Sequence, residues 1–230
     1  MLHTRPEMTT RPPARCPRCG STIPPQAAQG LCPACLLGSA LAPGDGLERG
    51  DAFPYRIVTL LAGDAGAVTY LAHTMSGAPR YVALKVLLSC REPDAILARF
   101  DRWKRALAEL RHPSAAPIVD AGRVDSASIY LAADYVAGSP LRPILDGLTR
   151  DDRADIVRQL DAALRAAHDR GLAHLRLDAS RIKIATTAGL RAVMLGLGAA
   201  LVVDGAAPDP APDREALARL AHDFGVPAPG

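Results

Sequence analysis

Aromatic residues are scarce: Phe, Trp and Tyr make up 4% of the 230 residues, so any core must be aliphatic and built from small side chains. Charge of one sign is also lacking. A net charge of +3 gives no licence for nucleic-acid binding by charge alone, because such footprints are more basic and clustered. Long hydrophobic runs are missing too. The longest, Ala192 to Val203, falls far short of the ~20 residues a membrane-spanning helix needs. The opening stretch, Met1 to Arg15, is polar and proline-rich, without the apolar segment of a secretory leader. These absences predict a soluble, cytoplasmic protein with no membrane contact. At 49% hydrophobic and 22% charged, the chain is still too apolar for wholesale disorder. Its length suits one ordinary domain plus a small module.

Five cysteines in a reducing compartment argue for metal rather than disulfides. Four of them form Cys16-Pro-Arg-Cys19 and Cys32-Pro-Ala-Cys35, two C-x2-C pairs separated by twelve residues. Each short spacer lets both thiolates of a pair turn toward one ion, and two pairs complete the tetrahedron that zinc prefers. The alternatives are a redox pair or two disulfides, but a redox C-x2-C would open a helix in a thioredoxin-like unit. With all four positions supplied by protein, the zinc would be structural, and its binding would supply the folding energy of so short a segment. The expected division is a tail over 1–15, a zinc ribbon over 16–38 and a linker over 39–52. Arg5, Arg11, Arg15 and Arg18 give the ribbon a basic edge, yet it has no aromatic on which a base could stack, so nucleic acid is disfavoured. Cys90 has no Cys or His partner in sequence and is expected to be an inert thiol.

Past the linker, Tyr55 to Leu61, Val68 to His73 and Arg80 to Leu88 read as strands. A helix opens at Pro93, with Ile96, Leu97, Phe100, Trp103, Leu107 and Leu110 at helical spacing, and ends at His112-Pro113. Strands follow at Pro117 to Gly122 and Ser128 to Tyr135, then a short helix over Ser139 to Gly147. Thr149 is a good N-cap for a helix running to about Arg170, with Gly171 as its stop. Short strands are expected around Arg181 to Ile184 and Arg191 to Leu195. The order is α+β with two lobes.

The words V-A-L-K at Val82 to Lys85, L-R-H-P at Leu110 to Pro113, Y-L-A-A-D-Y-V-A-G at Tyr130 to Gly138 and H-D-R-G-L-A-H at His168 to His174 stand in the order found in bacterial Ser/Thr protein kinases. From Tyr55 to Leu220 the chain resembles that family, and the two C-x2-C words resemble the zinc ribbons found ahead of many bacterial kinase-like domains. The resemblance implies a kinase-like N-lobe over 53–136, a partial C-lobe over 137–222 and a tail over 223–230. It also implies a Mg-nucleotide between the lobes, with Lys85 facing it and a hinge at Asp134 and Val136 as candidate contacts.

The chemistry that the resemblance implies is missing residue by residue. The three glycines of the phosphate loop become Ala62, Asp64 and Ala67. The glutamate that would pair with Lys85 becomes Trp103, and neither Asp101 nor Glu109 points from the same helix face. The catalytic loop reads His174-Leu175-Arg176-Leu177-Asp178-Ala179-Ser180-Arg181: the base aspartate is Arg176 and the metal-binding asparagine is Arg181. The metal-binding D-F-G becomes Gly196-Leu197-Gly198. An arginine accepts no proton at neutral pH, and two cations repel Mg2+, so no Mg site is expected and ATP is doubted. Arg176 and Arg181 read either as an anion site or as salt-bridged arginines. His174, Gly198 and Asp213, whose family counterparts hold the architecture, remain. The expected function is a catalytically inactive scaffold or regulatory binding module with a protein partner or homodimer; the alternative is a weak or atypical ATP-dependent protein kinase. A shortened C-lobe is further expected to expose apolar surface.

Overall fold

The structure, a computed structural model, describes residues 15, 54–63, 66–78, 80–185 and 189–229. Strands β1 (Tyr55–Gly63), β2 (Ala67–Thr74) and β3 (Tyr81–Leu87) form an antiparallel meander, followed by helix α1 (Pro93–Glu109) and strands β4 (Ala115–Arg123) and β5 (Ile129–Asp134). A two-residue strand β6 (Ser139–Pro140), a short helix α2 (Leu141–Ile144) and a 3-10 turn lead to helix α3 (Arg150–His168). Strands β7 (Ile182–Ala185) and β8 (Arg191–Leu197), a wide turn over Ala200–Asp204 and helix α4 (Ala211–Asp223) complete the order. The sheet runs β1-β2-β3-β5-β4-β8-β7-β6, with β4 and β8 parallel and the other pairs antiparallel.

Alternation along the strands splits the apolar side chains into two cores. On one face Val68, Tyr70, Ala72, Val82, Leu84 and Val86 pack together with Tyr130 and Ala132. At this core Tyr55 and Tyr130 both donate to Oδ2 of Asp120, at 2.8 and 3.1 Å. Burial, reinforced by that carboxylate, pushes both phenols above their ordinary value. The larger core joins Ile96, Phe100 and Leu107 of α1 to Ile129 and Leu131, and continues into Ile156, Leu160 and Leu164 of α3. The expected two lobes therefore share one core, stitched by the β4–β8 pairing. Trp103 packs half-buried against it.

Three local expectations change. The helix expected over Ser139 to Gly147 breaks into β6, α2 and the 3-10 turn, because Ser139 and Pro140 pair with Ile184 and Lys183 before a helix can begin. Residues 223–230, expected as a tail, begin as the end of α4. Gly225 at φ +67° lets Val226 N–H reach the Ala221 carbonyl (3.0 Å) and Gly225 N–H the His222 carbonyl (3.0 Å), a Schellman stop. That turn buries Phe224 and Val226 in the main core. Among the described residues, the helical half accordingly exposes no large hydrophobic side chain, where apolar surface was expected. The large hydrophobics exposed among the described residues are Val58, Leu61, Met75 and Tyr81, all on or between the first three strands.

Thr149 caps α3 as expected. Its hydroxyl accepts from Asp152 N–H (3.1 Å), and the Asp152 carboxylate accepts from Thr149 N–H (3.0 Å), closing a capping box.

Candidate functional site

The site forms where the loop after α3 meets the end of β8 and the start of α4. Gly171, at φ +67°, ends the α3 run, and Leu172 and Ala173 sink into the core. The next two main-chain N–H groups converge on one carboxylate. Asp213, fully buried in the first turn of α4, accepts from His174 N–H at Oδ2 (2.8 Å) and from Leu175 N–H at Oδ1 (2.6 Å). His168 Nε2 lies 2.9 Å from Oδ2. Pointing successive N–H groups at one acceptor requires a left-handed residue, and Leu175 adopts φ +63°.

His174 is buried and structural. Its Nδ1 accepts from Arg176 N–H (3.3 Å), so the proton sits on Nε2, which donates to the Leu195 carbonyl (3.1 Å). Burial holds this imidazole below its ordinary pKa, against the pull of Asp213. The ring thus ties the loop to β8 as a neutral group rather than serving as a base.

Both arginines at the positions that the resemblance assigns to catalysis are engaged by carboxylates. Arg176 pairs with Asp204 at 2.6 Å. Arg181 faces Asp178 at 3.6 Å. Asp178 itself caps the 179–181 turn by accepting from Ser180 N–H (2.7 Å) and the Ser180 hydroxyl. Burial raises its carboxyl, but the Ser180 bonds and Arg181 outweigh this and hold it below the carboxylate range, which makes it a weak base. Gly196, at φ +76°, lies beside Arg181: a Cβ there would stand 3.9 Å from Arg181 Nη1. The asparagine and metal-aspartate positions are therefore adjacent, and the base position is tied to the segment after Gly198 through Asp204. They present two guanidiniums and a glycine where a Mg-nucleotide needs carboxylates, so they do not fit that group. Gly198 is needed for close packing: a Cβ would meet Leu107 Cδ2 at 2.6 Å.

Sequence reasoning missed two further contacts. Arg99, on α1, donates from Nε to the Val202 carbonyl (2.8 Å) and from Nη2 to the Val203 carbonyl (2.9 Å), capping the wide turn that carries Asp204. That helix therefore grips the segment after Gly198. Of the acids considered as partners for Lys85, Glu109 is bound to Arg105 (2.9 Å) and Asp101 is exposed. The second contact is Lys183, whose ammonium donates to the Val136 carbonyl (3.1 Å) and stands 5.0 Å from the Tyr135 ring centroid. The alternation Ile182-Lys183-Ile184 was a usable signal, since it turns Lys183 away from the core.

Lys85 is exposed on the β3 face opposite Val82, Leu84 and Val86. At the hinge, Asp134 pairs with Arg80, and Tyr135 N–H bonds the Tyr81 carbonyl (3.1 Å). Cys90 is a free thiol, held above its ordinary pKa by burial. Cys16, Cys19, Cys32, Cys35 and Asp64 lie outside the described residues. Among the described residues no group of three or more His, Cys, Asp or Glu side chains could hold a metal ion, and no helix is long and apolar enough to cross a membrane.

No family model matches the chain. Individual relatives do. The probable serine/threonine-protein kinase PknB of Lactococcus lactis is 30% identical over 151 residues, covering 64% of this chain and 24% of the relative. The serine/threonine-protein kinase pkn3 of Myxococcus xanthus is 30% identical over 137 residues, covering 58% and 25%. PknA of Mycobacterium tuberculosis is 31% identical over 156 residues, covering 64% and 36%. The chain thus spans well under half the length of these curated relatives. Among solved structures, the Mycobacterium tuberculosis PknI kinase domain is similar with a TM-score of 0.60 at 26% identity, the match covering 80% of each chain.

Proposed function

Because this fold is protein-kinase-like and the sequence is similar to bacterial serine/threonine kinases, we propose that the chain is a pseudokinase, a kinase-like scaffold that transfers no phosphate. The observation that carries this reading is the Arg176–Asp204 pair. The position that should take the proton of an attacking hydroxyl holds a permanent cation, bound to a carboxylate from the segment after Gly198. At the two metal-binding positions stand Arg181 and Gly196, neither of which can hold Mg2+. Phosphoryl transfer depends on positioning and on neutralising charge around the metal-bound phosphates. Losing base and metal ligands together removes both.

The role that remains is binding. The scaffold acts in the cytoplasm on a protein partner or a second copy, and Cys16, Cys19, Cys32 and Cys35 hold one structural zinc. Metal analysis of the purified chain, with and without serine at those four positions, tests the zinc. The scaffold reading is tested by incubating the full chain with labelled ATP, Mg2+ or Mn2+ and generic protein substrates. No transfer above a blank is expected. Transfer abolished by Lys85→Met would establish the alternative, an atypical kinase.

A further inference from the structure

Lys183 is a charged side chain at the cleft for which loss of phosphoryl transfer gives no reason. Its placement follows from register. Ile182 and Ile184 are buried in the main core, so Lys183, between them on β7, must point the other way. The β6–β7 pairing sets Pro140 opposite Lys183, which brings the link joining the two halves, residues 135–138, directly over it. Gly138 fixes how closely the link approaches: a Cβ there would lie 2.3 Å from the Ile184 carbonyl oxygen. At this separation the lysine stem is half-buried, and its ammonium ends on the Val136 carbonyl, 5.0 Å from the Tyr135 ring centroid. Burial also lowers its pKa.

A planar base entering a cleft beside such a link needs free main-chain donors and acceptors and an apolar surface beneath its ring. Here a carbonyl of the link is taken by a cation, whose half-buried stem runs up to the link from β7. We infer that Lys183 is a built-in occupant of the base site, which makes this cleft refuse purine nucleosides. The inference deepens the pseudokinase reading at the same cleft, yet it is separable from it. Adenosine has no phosphate and needs no metal, so its binding reports on Lys183 and not on Arg176, Arg181 or Gly196.

The test is equilibrium dialysis of labelled adenosine against the full chain, unaltered and as Lys183→Met and Lys183→Arg. The unaltered chain and Lys183→Arg are expected to retain no adenosine. Lys183→Met should bind it about tenfold more tightly or better, the worth of one charge-assisted hydrogen bond no longer displaced. Equal binding by all three chains overturns the inference while leaving the phosphoryl-transfer reading untouched. So does a folded Lys183→Met that binds nothing. Should that variant fail to fold, the unaltered protein supplies a second measurement. The chain has three lysines, Lys85, Lys104 and Lys183, so reductive methylation can be followed residue by residue. Lys183 should react about tenfold more slowly than exposed Lys104, the same bond having to open first. Equal rates overturn the inference.

Discussion

Asp213→Ala should be among the most damaging single changes in the molecule, and its cost can be worked from the contacts. The carboxylate is fully buried and accepts from His174 N–H, Leu175 N–H and the His168 ring at 2.8, 2.6 and 2.9 Å. Truncation removes the acceptor and leaves two main-chain donors facing a hole. Each stranded donor costs about 1–3 kcal/mol. Against this, Leu175 gains freedom to leave its left-handed conformation, worth about 1 kcal/mol. The net loss should be ~3 kcal/mol, a large part of the roughly 5–15 kcal/mol that holds a domain together. Asp213→Asn keeps the shape and one oxygen, so it should cost about half as much. Urea titration followed by the fluorescence of Trp103, the single tryptophan, reads both values. A loss under ~1 kcal/mol for Asp213→Ala, or an equal loss for the two variants, would refute the argument that the paired N–H bonds carry the stability.

Three further outcomes follow from local geometry. Thr149→Ala removes the capping box of α3 and should cost ~1 kcal/mol in the same titration, while Thr149→Asn, itself a capping residue, should cost a fraction of that. His174 is held neutral in the fold by burial, below the 6.5 of a free imidazole, whereas the unfolded chain takes up the proton near that value. Its stabilising contribution is therefore full above about pH 6.5 and is lost as pH falls below it. His174→Gln keeps a donor and an acceptor without titrating, so it should show a flatter decline in urea midpoint between pH 7.5 and 5. Gly138→Ala would place its Cβ 2.3 Å from the Ile184 carbonyl oxygen and should lower the melting temperature markedly, whereas Gly147→Ala, with no atom within 4 Å, should leave it nearly unchanged.

What could be read from the sequence was whatever a local pattern carries. Ile96, Phe100, Trp103 and Leu107 mark α1 by their spacing, Thr149 marks its own cap, and the ordered words place His174, Arg176, Arg181 and Gly196 in one loop system. An architectural role for Asp213 was legible only through the resemblance, whose counterpart residue holds the same loop. The Gly225-Val226 stop was also legible in principle, since a glycine followed by an apolar residue after a helix is the signature of that turn, but the stretch was expected to be a tail. Long-range partners were not legible. Lys183 meets Val136 across 47 positions and Arg99 meets Val202 across 103. Nothing in either neighbourhood names the other until strand register is known. The segment Ala200–Asp204 compounds this, because its Ala-Leu-Val-Val run suits a strand as well as a turn.

The cations of the cleft form a connected set once their acceptors are considered together. Arginines at positions 176 and 181, where the resemblance implies an aspartate and an asparagine, repel a metal and also carry charges that need acceptors of their own. Asp178 faces Arg181, while the segment after Gly198 supplies Asp204 to Arg176 and the Val202 and Val203 carbonyls to Arg99. The same contacts that satisfy the arginines fold this segment inward against α1. Residues 189–230 contain no Ser, Thr or Tyr, so no hydroxyl there can take a phosphate to draw the segment out. The Arg176–Asp204 pair and the Arg99 bonds together hold this segment against both the loop after α3 and helix α1.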